Sequence, residues 1–261
     1  MIGTEMPWSE GPRYTPLGTP ATAWLIARRA AVESLRDRSS MISSAFFALV
    51  IPALIAAFVI HPQALRVTGG KATAALGTTM AAYLLIVGLL PSTGAISVAA
   101  GVFAGEKERG NLAPLLATPA SNWAIFAGKA LGAVLPGLLY AVVAETVYLG
   151  GVTLLSGADK LRLLPAALSL AMVALVPAAA VLGAAVASLV SSRVRTYNGA
   201  QTLTSLVMLP VTALLFGLAF KMQQWGPPAL LIAVAALLLL DALVIALSAA
   251  TWRREEVMAR Q

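Results

Sequence analysis

The chain has 261 residues, of which 59% are hydrophobic and only 11% charged, and its mean hydropathy is +0.85. That is too little polar material to cover a water-soluble globule, so lipid must be the solvent for most of it. The formal charge of +7 sits beside apolar runs, which points to membrane topology and away from nucleic acid. With no cysteine there is no disulfide framework, thiolate metal site or cysteine nucleophile, and a lone histidine, His61, makes a His-built metal centre a poor reading.

The apolar runs are rich in Ala, Leu and Val, lack strand-like alternation, and exceed the roughly 18 residues at which a bilayer-spanning helix becomes the default. Inside hydrocarbon every backbone N–H and C=O must be satisfied within its own segment or by a neighbour. The expected fold is therefore an all-α integral membrane protein: six transmembrane helices preceded by an amphipathic interfacial helix, with both termini cytoplasmic. Residues 1–20, with Pro7, Pro12, Pro16 and Pro20, lack the basic start and apolar core of a signal peptide and read as an irregular cytoplasmic tail.

Residues 21–38 place Trp24, Leu25, Ala31, Val32 and Leu35 on one helical face and Arg29, Glu33, Arg36 and Asp37 on the other. A helix in the membrane interface fits this pattern; a soluble helix packed on a partner is the alternative. Residues 39–261 form a single transmembrane domain, with spans at about 41–60, 72–104, 124–155, 163–191, 203–221 and 229–252. The second and third are too long for a roughly 30 Å core unless they tilt, kink or project into the cytoplasm. Pro91, Pro136, Pro177 and Pro210 lie inside spans. Lys221 to Pro228 reads as a short outer turn that anchors the last two spans.

Orientation follows from Lys and Arg, whose excess marks the cytoplasm. Thirteen of the eighteen fall on the side of the termini: Arg13, Arg28, Arg29, Arg36, Arg38, Lys107, Arg109, Lys129, Arg193, Arg195, Arg253, Arg254 and Arg260. The other five, Arg66, Lys71, Lys160, Arg162 and Lys221, fall opposite. Gly101 with Gly105, and Gly128 with Gly132, are small-xxx-small pairs suited to close helix packing within the chain.

Between spans two and three lies GEKERGNLAPLLATPASNWAIFAGK, Gly105 to Lys129, the most polar stretch after residue 40. Glu106 and Glu108 alternate with Lys107 and Arg109; Gly110 and Asn111 break the pattern before Leu112, Leu115 and Leu116; Thr118 and Pro119 fit a stop, and Ser121 an N-cap. This predicts a short helix near 106–120, apolar enough to dock on another protein and joined to two spans. The segment resembles the coupling helix of the ABC-2 type permease family, whose corresponding run reads GEKERGTLE-LL-TP. Gly105 to Gly110, Leu112, Leu115, Leu116, Thr118 and Pro119 fit it as they stand, while Asn111 and Ala113 replace the more usual Thr and Glu. A Pro-containing fifth span, LVMLPVTALLFG, is similar to the family's penultimate helix, and the resemblance covers roughly residues 21–252.

The resemblance implies the permease subunit of an exporter in the plasma or inner membrane, working by alternating access. Its partners would be a cytoplasmic ATP-binding cassette ATPase and a second copy of the permease or a homologous one, with ATP and Mg on the ATPase. This chain would bind no cofactor, and indeed it has no G-x-x-x-x-G-K-[ST]. Leu112, Leu115 and Leu116 would be docking anchors, Glu106 and Arg109 would fix register, Gly110 would permit the turn, and Thr118 and Pro119 would end the helix.

Two acids fall within spans, Glu145 in the third and Asp241 in the sixth, where a carboxylate costs about 2.5–3.5 kcal/mol. They read either as a polar lining of a substrate path or cation site, suited to an amphipathic or cationic cargo, or as carboxyl groups bonded to a neighbouring hydroxyl. An ion-coupled secondary transporter using these two acids is the alternative, but it leaves the Gly105 to Pro119 segment without a purpose. A scaffold that only anchors an ATPase fits as well. An enzyme does not: there is no H-E-x-x-H or serine–histidine arrangement, and His61 reads as alone in an outer loop.

Overall fold

The computed structural model describes residues 18–101, 104–108, 120–194, 196–225 and 227–251. These are almost entirely helical. The elements are α1 (Thr19–Arg36), α2 (Arg38–Leu54), a π-helical turn (Ile55–Ile60), α3 (His61–Arg66), α4 (Gly70–Gly101), α5 (Ala104–Glu108), α6 (Asn122–Ser156), a 3-10 turn (Ala158–Leu163), α7 (Ala166–Arg193), α8 (Tyr197–Trp225) and α9 (Pro227–Thr251). Five stretches among them are long and apolar enough to cross a bilayer: Met41–Arg66, Gly70–Gly101, Trp123–Ser156, Ala166–Arg193 and Tyr197–Ala219. α9 adds a shorter apolar stretch, Ile232–Leu247.

Small side chains decide which helix sits in the middle. α7 buries Ala178, Ala179, Ala180, Gly183, Ala184, Ala185 and Ala187, which lets neighbouring backbones approach closely, and it packs against α4, α6, α8 and α9. α4 and α6 lie side by side against it, with α2 laid over both. α2 and α8 expose most of their apolar surface, as peripheral helices in lipid should. Tyr148, fully buried on α6, donates from its hydroxyl to the Met80 carbonyl of α4 at 3.2 Å and so satisfies its polar end inside the apolar bundle.

α4 and α6 have 32 and 35 residues, about 48 and 52 Å at 1.5 Å per residue, against a hydrocarbon core of about 30 Å. Helix runs unbroken through Pro91, Pro136, Pro177 and Pro210. Beside Pro91, the Ser92 and Thr93 hydroxyls turn back onto the Leu89 and Leu90 carbonyls, so these polar side chains are satisfied within their own helix.

Two expectations are corrected. His61 does not stand in an outer loop. The first apolar helix continues through the π turn into α3, Pro62 is accommodated in the first turn of α3, and His61 Nδ1 lies 3.1 Å from Ser156 Oγ at the end of α6. The outer turn read from Lys221 to Pro228 is also mostly helix, with α8 running to Trp225 and α9 starting at Pro227. The N-cap reading of Ser121 holds, since its Oγ accepts from the Ala124 amide at 3.1 Å.

Candidate functional site

α5, the start of the polar segment between α4 and α6, is fixed to the bundle twice. Ser191 of α7 makes the first attachment. Its hydroxyl donates to the Ala100 carbonyl at the end of α4 (2.6 Å) and accepts from the Ala104 amide at the start of α5 (2.8 Å). The last free carbonyls of one helix and the first free amide of the next are thereby joined through a third helix. Gly101 allows Tyr197, at the start of α8, to lie over the same junction, 3.1 Å from where a Cβ would stand.

Glu106 of α5 makes the second attachment, an ion pair with Lys129 Nζ in the second turn of α6. Lys129 is only 5% exposed. Arg29 and Glu33 of α1, both exposed, pair with each other at 2.8 Å, one helical turn apart. The Glu106–Lys129 pair joins α5 to the head of α6, against which α1 packs.

The glycines beside Lys129 bring α1 there. A methyl group on Gly128 would stand 2.6 Å from the Ala23 carbonyl oxygen, and one on Gly132 would stand 2.6 Å from the Ala30 Cβ. α1 accordingly buries Ala27 and Ala31 against α6, while Trp24 (57%), Leu25 and Val32 stay exposed. The sequence placed Ala31 on the same face as these larger residues. In the structure the packed stripe is Ile26 with Ala27, Ala30 and Ala31, and Trp24, Leu25 and Val32 face outward beside it, because the two glycines let the α1 backbone come close.

Of the other singled-out residues, Arg109, Gly110, Leu112, Leu115, Leu116, Thr118 and Pro119 lie outside the described residues. Glu145 on α6 points at α4, where its Oε1 and Val176 occupy the notch left by Gly88. Asp241 on α9 is 5% exposed, and its Oδ1 has no hydrogen-bond partner among the described residues. The two acids are on helices that barely touch. Neither lines the cavity of about 80 Å³ that Ser92, Ile96, Ala179, Met208, Thr212 and Phe216 help enclose between α4, α7 and α8. That cavity is well below the 300–1,000 Å³ of a drug-sized site. Among the described residues no three His, Cys, Asp or Glu side chains group as metal ligands.

Residues 24–259 match the family model described as ABC-2 family transporter protein. The chain belongs to that family. No curated protein matches it. The match runs from Trp24 on α1 past the end of α9, so it takes in α1 as well as the apolar bundle. Membership makes this ABC-2 chain a multi-pass membrane protein and a component of membrane transport, not itself an enzyme. Permeases of the ABC-2 family generally work with an ATP-binding cassette subunit.

Sequence reasoning found Glu106 but missed its partner Lys129 and the Ser191 bridge at the start of α5. Lys129 had been counted only as a topology charge, and Ser191 drew no notice. The available signal for Lys129 was a single cation inside an otherwise apolar helix head, between two glycines.

Proposed function

We propose that this ABC-2 chain is the membrane-spanning subunit of an ATP-driven exporter in the plasma or inner membrane, with six crossings, α1 in the cytoplasmic interface and both termini in the cytoplasm. Energy comes from a separate cassette ATPase that binds ATP and Mg. A second copy of the chain, or a homologous permease, completes the transporter. When the ATPases close on ATP, the segment near 106–120 moves with them and α4 and α6 are levered toward an outward-open state. Leu112, Leu115 and Leu116 anchor the docked segment, Arg109 sets its register, Gly110 allows the turn, and Thr118 with Pro119 ends it. Glu145 and Asp241 are polar points on the route of an amphipathic or cationic cargo.

The observation that carries this reading is the double attachment of the segment, by Ser191 at the end of α4 and by Glu106–Lys129 at the head of α6. A docking element transmits force only if it is rigidly joined to what it must move, and these contacts supply that joint. The charge asymmetry supports placing this end in the cytoplasm.

The test is co-expression with a candidate cassette subunit, comparing wild type with Leu115→Asp and Leu116→Asp. Co-purification with the wild type and its loss in both variants is the expected result. If no ATPase associates with the wild type, or if the variants retain it fully, the docking role of this segment is wrong.

A further inference from the structure

A lysine needed only to mark the cytoplasmic side of a span works best in water. Lys129 is instead almost fully buried, under α5 and beside α1, and its ammonium is matched by Glu106. A buried ammonium is tolerated when paired and is strongly destabilising when its partner is removed, so this pair holds its two helices in one arrangement. Glu106 also spends its carboxylate within the chain, although the first carboxylate of a docking segment would be expected to face the partner.

Two further contacts converge on the same place. Gly128 and Gly132 flank Lys129 and seat α1, and Ser191 ties the start of α5 to α7. A hydroxyl bridge alone would let α5 swing; the Glu106–Lys129 ion pair fixes it to the head of α6, where Gly128 and Gly132 seat α1.

We propose that Glu106 and Lys129 are positioning residues that weld α5 to the head of α6, on which Gly128 and Gly132 seat α1, so that the three move as one lever when the coupling segment is pushed. The inference rests on the reading of the stretch near 106–120 as that segment. Glu106 then acts inside the chain, and docking is left to the residues that follow it.

The chain has no cysteine, so a single Leu65→Cys, on exposed α3 at the far end of the bundle, can carry an environment-sensitive fluorophore. The complex with the cassette subunit, whose own cysteines are replaced, is reconstituted in vesicles. ATP hydrolysis and the ATP-driven fluorescence change are then read together for wild type, Glu106→Gln, Lys129→Met and Lys129→Arg. Glu106→Gln and Lys129→Met are expected to co-purify with the ATPase and to hydrolyse ATP, yet to lose at least five-fold of the fluorescence change. Lys129→Arg, which keeps the charge, is expected to restore at least half of it.

A full fluorescence change in Glu106→Gln overturns the proposal. That variant also decides the matter if Lys129→Met does not assemble, because glutamine still accepts a hydrogen bond from the ammonium. A wild type that binds no ATPase, or shows no ATP-driven change, removes instead the exporter reading on which the proposal rests.

Discussion

Gly132 shows how much of this architecture depends on the lack of one side chain. The Ala30 Cβ and the Ala27 carbonyl of α1 both lie within 2.7 Å of where a Cβ would be, and backbone cannot move aside as a flexible side chain can. Gly132→Leu is therefore expected to push α1 off α6 and to destabilise the protein by about 1–3 kcal/mol, read as a lower Tm in detergent. Ser121→Ala should cost about 1 kcal/mol by leaving the Ala124 amide uncapped, with a smaller fall in Tm. The glycine spacing and the cap were both legible in the sequence, because each is a local pattern. The identity of the partners was not. Gly128 and Gly132 meet α1, which is far away in sequence, and Glu106 meets Lys129, 23 residues on, across a loop whose path no periodicity reveals.

At the level of elements, the first span holds the clearest departure from a simple helix. A π turn fits an extra residue into the helical path, and here it directly precedes His61, whose ring meets Ser156. Because the turn absorbs one extra residue, deleting Ala57 should restore ordinary helix and leave His61 facing Ser156. The deletion should therefore lower Tm less than Ser156→Ala, which removes one hydrogen bond worth about 0.5–1.5 kcal/mol; an equal or larger fall would show that the π turn itself is needed to place His61. His-Pro had the look of loop punctuation in the sequence. It is helical because the π turn carries the helix into it, with the His61 amide bonded to the Ala56 carbonyl, and a π turn leaves no compositional mark. The long spans were legible for the opposite reason: hydrophobic length is a one-dimensional property, and the second and third spans begin and end within a few residues of where it placed them.

For the whole molecule, the helix order alternates between two ends. One end carries α1, the Glu106–Lys129 pair and Arg193; the other carries Arg66, Lys71, Lys160 and Arg162. With the basic end in the cytoplasm, a membrane-impermeant thiol reagent applied to intact cells should label Leu65→Cys and leave Trp24→Cys untouched until the membrane is opened. The reverse pattern would invert the topology and place the polar segment where no ATPase could reach it. The fixing of α1 on Gly128 and Gly132 also constrains how the chain is built. α1 leaves the ribosome early, but the groove that receives it is made only after the first two spans, on the order of 5–20 s later at 5–20 residues per second. During synthesis α1 must wait without its packed stripe covered, and Trp24, Leu25 and Val32, which stay exposed even in the finished fold, are what it has to hold on to the bilayer surface in the meantime.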